Sequence, residues 1–158
     1  MIKMHSTTLN YFFAILLFAL VISSCASKKK QPFGRNTKLE NKIWVLRELN
    51  GKPTNSFTFK KEITLKIESG DNTFGGNGPC NTLNGMYVVQ EDMIKFQSMA
   101  STEMSCDALA IESEYFGMLQ ICESYKYETI REKGLDKEYL LLFKDQMLVG
   151  KFESVRLQ

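Results

Sequence analysis

The stretch Phe74–Tyr87 limits the fold of this chain more than any other. Four glycines (Gly75, Gly76, Gly78, Gly85), the asparagines Asn77, Asn81 and Asn84, and Pro79 all fall within it. Glycine and asparagine tolerate positive φ and proline fixes its own, so the stretch reads as a shaped loop with its own turn chemistry, leading into a strand from Thr82. At its centre sits Cys80, flanked by residues too small to shield the thiol. The first reading of the loop is a structural clasp, the second a binding rim.

The N-terminus has to be set aside before the fold is considered. Met1–Asn10 carries Lys3 and no acid, Tyr11–Ile22 is an unbroken apolar run, and Ser23-Ser24-Cys25 follows. A membrane-spanning helix needs ~20 apolar residues, so this run is too short for one and fits a secretory signal over residues 1–24. Ile22-Ser23-Ser24-Cys25 resembles the bacterial lipobox. That resemblance implies diacylglyceryl attachment at Cys25, cleavage before it and acylation of the new amine; a plain cleaved signal is the alternative. Several acyl chains hold a protein on a bilayer stably. Residues 25–36, polar and basic with Lys28, Lys29 and Lys30, then serve as a tether with nothing to bury. No acid directly follows Cys25, where Ala26 and Ser27 stand, which points to the periplasmic face of the outer membrane.

Residues 37–158 fit one domain. The chain has 20 basic and 18 acidic residues, a balance with no electrostatic footprint for nucleic acid. Its single histidine, His5, lies in the signal, so the mature chain lacks the commonest zinc ligand and general base. The β-branched and aromatic run Ile43–Leu49 ends at the turn signal Asn50-Gly51. A polar connection over 52–61 follows. Residues 62–68 alternate strictly, with Ile63, Leu65 and Ile67 on one face. Further strands are predicted at Thr73-Phe74, 82–89, 93–96, 124–131, 138–143 and 147–153, with turns at Lys133-Gly134 and Asp145-Gln146. The segment between Phe96 and Asp107 reads as irregular. Asp107 suits an N-cap, and Ala108, Ile111, Tyr115, Met118, Leu119 and Cys122 recur at helical spacing, predicting a helix over 107–122; Gly117 within it suggests close approach to the sheet. The expected fold is α+β: a curled antiparallel sheet, a half-barrel of about seven strands, with one helix packed across it.

These residues resemble the META-domain proteins, the group that includes the HslJ-type heat-inducible lipoproteins of bacteria. The resemblance rests on Trp44 and Leu46 in the first strand, the Gly-x-x-Cys-Asn-x-x-x-Gly-x-Tyr loop ending at Tyr87, and Met99-Ala100-Ser101-Thr102-Glu103-Met104-Ser105-Cys106. Glu112, Tyr115 and Leu119 on the helix and a terminal hairpin complete it. Pro79 before Cys80 and the additional Cys122 depart from the pattern. The resemblance implies a non-enzymatic, barrel-like lipoprotein of the cell envelope, linked with stress, and a binding or chaperone-like role.

Cys25 is spent on lipid, leaving three thiols in an oxidising compartment. Cys106 and Cys122 bracket the helix, whose ~1.5 Å rise per residue sets them about 24 Å apart, too far for a disulfide. That leaves Cys80 to pair with either, and the resemblance implies Cys80–Cys106.

A cysteine nucleophile lacks a histidine to activate it. Glu91-Asp92 and Glu112/Glu114 read as turn and helix-surface carboxylates, and Asn77-Gly78 and Asn84-Gly85 as hairpin formers. No cofactor or metal site is expected, and the chain is expected not to be an enzyme. Two binding classes remain. Phe57, Phe59, Phe74, Phe96, Tyr115, Phe116, Tyr125 and Tyr127 offer aromatic area for a cleft between helix and sheet. Such a cleft would take an acyl chain or an envelope partner's hydrophobic segment, with Phe74, Asn81, Tyr87, Thr102, Met104 and Tyr115 as candidate binding positions; a well-filled core is the competing reading. The alternative is soft-metal handling, copper above all, through Met86, Met93, Met99, Met104, Met118 and Met147 with the thiols.

Overall fold

Alternating apolar residues bring most of the chain into strands, and two-residue turns set their order. The computed structural model describes residues 38–57 and 61–155; the expected signal peptide and tether, Cys25 and Phe59 lie outside the described residues. The strands are β1 (Lys42–Leu49), β2 (Lys52–Pro53), β3 (Thr64–Glu68), β4 (Thr73–Asn77), β5 (Thr82–Gln90) and β6 (Met93–Ser101). After helix α1 (Leu109–Ile121) come β7 (Ser124–Glu132), β8 (Leu135–Lys144) and β9 (Met147–Val155). A short 3-10 turn at Thr54–Ser56 follows β2. Asn50-Gly51, Lys133-Gly134 and Asp145-Gln146 all have positive φ at both residues, the backbone that two-residue hairpin turns require.

The fold is α+β, as expected: an antiparallel sheet of nine strands that curls round one helix. The curl goes further than half a barrel, because β1 pairs with β3 on one side and β9 on the other. The ring therefore returns to its first strand. Its thinnest seam is β6–β7, joined through Met93 and Ser124. Helix α1 touches β6 and β1, which stand opposite each other in the ring, so it crosses the barrel. Trp44, Phe74, Tyr115 and Phe152 are the largest fully buried side chains, and the Trp44 indole N–H donates to Leu39 O at 2.8 Å.

Four local expectations need correction. Gly75 and Gly76 lie inside β4 and Asn84-Gly85 inside β5, so the shaped loop shrinks to the few residues between those strands. The glycines there serve packing: a Cβ on Gly76 would run into Thr64 O, and one on Gly85 would sit 2.6 Å from the Phe74 ring. The segment after Phe96 is irregular only beyond Ser101. It continues β6, with Ala100 and Ser101 paired to Asn84 and Leu83 beyond a bulge at Asn84–Met86. The helix begins at Leu109 without a side-chain cap from Asp107. Cys106 meets its first amides instead, Sγ accepting from Ala108 N–H and its carbonyl from Leu109 N–H, both at 3.3 Å. Gly117 faces open space, so no close approach explains it.

Candidate functional site

The turn between β4 and β5 is closed by Gly78 N–H donating to Asn81 O at 2.7 Å. This presents the amides of Cys80 and Asn81 towards α1, where Glu112 receives them. Its Oε2 accepts from Cys80 N–H (2.9 Å) and Asn81 N–H (2.7 Å), and its Oε1 from Asn81 Nδ2 (2.5 Å). A Cβ on Gly78 would collide with that carboxylate, so only glycine admits it so close. Asn81 then turns its other atoms to the segment after β6. Its Oδ1 accepts from Thr102 Oγ1 (2.8 Å) and Met104 N–H (2.6 Å), while Nδ2 also donates to Met104 O (3.0 Å). The Cys80–Cys106 disulfide, with Cα atoms 5.9 Å apart, staples the same two segments. Glu112 and Asn81 are both buried. A buried charge is stable only when its lone pairs are satisfied, and here the loop amides satisfy them.

Glu112 is not the helix-surface carboxylate expected: it is 3% exposed. The available signal was its phase, since Glu112, Tyr115 and Leu119 lie on one helical stripe and all three are buried. Of the candidate binding positions, the structure brings Asn81, Thr102 and Met104 together at this clasp. Phe74, Tyr87 and Tyr115 are instead core residues, 2%, 4% and 0% exposed. Phe74 packs edge-on against Phe96, and Tyr115 lies tilted against Phe152. Tyr115, Met118 and Leu119 belong with Phe152 to one buried cluster, so of the two readings of the space between helix and sheet, an apolar cleft or a well-filled core, the structure has the filled core. Burial raises the Tyr115 phenol well above its ordinary range, so its hydroxyl stays protonated and donates to Thr64 O at 3.1 Å. Tyr87 donates to Glu40, a buried carboxylate, at 2.9 Å.

The thiol chemistry is closed off in a similar way. Cys80 and Cys106 are joined, and burial, helped by the charge of Glu123, pushes the Cys122 thiol up to about 12. Cys122 donates to Leu119 O instead. Of the methionines, Met118 is in the core, while Met86, Met93, Met104 and Met147 are exposed.

The outer wall of the barrel carries two polar features. Glu138 takes Lys42 Nζ (2.7 Å), Tyr127 OH (2.7 Å) and Ser154 Oγ (3.0 Å). Burial works to raise its pKa, but those hydrogen bonds and the Lys42 charge outweigh it and hold the carboxyl down at about 2. Next to it, an open groove of about 700 Å³ runs over the outer face of β3, β4 and β5, with Gly75 in its floor. Glycine within a strand, at Gly75, was the available signal for it.

The META domain pattern matches residues 37–149. Among solved structures, the NMR structure of a protein from Burkholderia xenovorans is similar with a TM-score of 0.56 and 19% identity, over 75% of this chain and 85% of that one. A second NMR structure is similar with a TM-score of 0.52 and 17% identity, over 75% and 95% of the two chains. At such identities the likeness is one of fold. No curated protein matches the chain.

Proposed function

Because the chain belongs to the META domain family, we propose that it is a non-enzymatic binding module of the cell envelope, held to the membrane by lipid on Cys25 and acting in envelope stress. The Cys80–Cys106 disulfide carries this reading. Such bonds persist in oxidising compartments and are rare in the cytosol, so a fold stapled by one is suited to work outside it. The leader ending at Ile22-Ser23-Ser24-Cys25 supports the same address and supplies the anchor. With the helix–sheet interface filled by core residues, the binding surface in this reading is the outer wall of the barrel.

Palmitate labelling in intact cells tests the anchor: label enters the wild-type chain and is absent after Cys25→Ser. Thiol trapping in the same cells tests the compartment, since Cys80 and Cys106 resist alkylation until reduced. A chain that takes no label and has free Cys80 and Cys106 thiols overturns the proposal. Copper handling draws less support, because Cys106 sulfur is committed to the disulfide and Met118 is in the core. Of that cluster only thioethers such as Met99 and Met104 are left as donors.

A further inference from the structure

The outer face of β3, β4 and β5 holds a glycine that the fold does not require. Thr64, Lys66 and Glu68 pair with Asn77, Gly75 and Thr73, and β5 extends these rows with Thr82, Asn84 and Met86. Gly75 is at the centre of that patch, and its φ lies outside the left-handed region. A Cβ there would meet nothing closer than Leu83 O at 3.6 Å, an ordinary contact, in contrast to the collisions at Gly76 and Gly85. Glycine inside a strand is nevertheless less stable than alanine by about 0.5–1 kcal/mol. The effect of the missing side chain is to leave bare backbone in the floor of the groove of about 700 Å³. Strand glycines often mark a bulge, a tight bend or a place where another molecule comes close to the backbone, and β4 pairs with β3 and β5 without a register shift.

We propose that this groove binds a neutral saccharide, with a sugar ring seated on Gly75; the proposal rests on the envelope-binding reading and names its ligand. Charge selects against an ionic ligand, because Lys66 is already paired with Glu68 along the wall. Topology selects against an added peptide strand, because β3, β4 and β5 each have strand neighbours on both sides. The groups facing a ligand are side-chain amides and hydroxyls, which donate and accept alike: Asn84 and Thr73, together with Asn77 and Thr64. The last two already share a hydrogen bond from Asn77 Nδ2 to Thr64 Oγ1 at 3.2 Å and offer their remaining capacity, the Asn77 Oδ1 and the Thr64 hydroxyl hydrogen. Vicinal sugar hydroxyls make the same double demand. Ile43 and Met86 at the rims offer apolar contact for the C–H face of a pyranose.

The test is NMR titration of the full-length chain with N-acetylglucosamine oligomers and maltooligosaccharides, using a sulfated oligosaccharide as charged control. The expected result is saturable shifts at Lys66, Gly75, Asn77 and Asn84 with a neutral probe. Gly75→Val should weaken binding at least tenfold at unchanged or higher melting temperature, and Asn84→Ala, at an exposed side chain, should weaken it without touching the fold. Three results overturn the proposal: no shifts at these residues with either neutral probe, equal binding by both variants, or a Gly75→Val chain that is destabilised. Palmitate labelling of Cys25 reads the anchored role separately, so its failure is distinguishable from failure of the titration.

Discussion

Replacing Glu112 by glutamine is the sharpest test of the clasp, because it alters one atom and leaves the shape unchanged. A glutamine can turn its carbonyl oxygen to the Cys80 and Asn81 amides now held by Oε2. Its NH2 then faces Asn81 Nδ2, donor against donor, where Oε1 had accepted at 2.5 Å. Asn81 cannot flip to relieve this, since its Oδ1 is already taken by Thr102 and Met104. One charge-assisted bond is lost and two fall to neutral strength. Partly offset by the easier burial of a neutral group, the net loss is about 2–3 kcal/mol. For comparison, the disulfide, at a sequence separation of 26, contributes about 3.5 kcal/mol in the chain-entropy picture. The assay is urea unfolding followed through the single tryptophan, Trp44, which is fully buried. The midpoint should fall at constant m-value. With the disulfide reduced, the cost of the substitution should change by at least about 0.5 kcal/mol, because both act on the same two segments. A loss below about 0.5 kcal/mol in the oxidised protein would refute the claim that Glu112 organises this loop.

Gly78→Ala should destabilise by about 1–3 kcal/mol although it lies in a loop, since its methyl displaces the Glu112 carboxylate; the same urea titration reads it. Glu138 has a folded pKa held down at about 2 against an ordinary value near 4.3. Its contribution to stability is therefore complete above the ordinary value and is lost as pH falls from there through about 2. Acid unfolding should accordingly be less steep across that window in Glu138→Gln than in the wild type. Cys122, with its thiol pushed up to about 12, should resist iodoacetamide at pH 8 until denaturant is added, as counted by mass spectrometry.

The sequence made much of the frame legible, for reasons that particular residues illustrate. Ile63, Leu65 and Ile67 announce β3 because one face is wet and one buried, and Asn50-Gly51 announces a hairpin because few residues accept positive φ. Strand pairing beyond Phe96 was hidden, since Met99–Ser101 acquire strand geometry from β5 and not from any pattern of their own. The cap at Asp107 was misjudged because a helix entered from a disulfide-bonded cysteine has its first amides met by Cys106. Polarity was also a poor guide to Glu112 and Glu40, both buried, because what decides the fate of a carboxylate is the donors that reach it from distant strands. The resemblance to META domains brought out the cysteine pair and included Glu112 in its helix pattern, but gave that carboxylate no role beneath the loop.

The pairing of β1 with β9 sets a schedule for the nascent chain. Ile43 meets Val155 and Leu49 meets Gly150, so the first strand made must wait for the last before its second edge is covered. Contacts so remote along the chain make for slow, late closure. Truncation before Met147 would leave the sheet permanently open along β1 and β8.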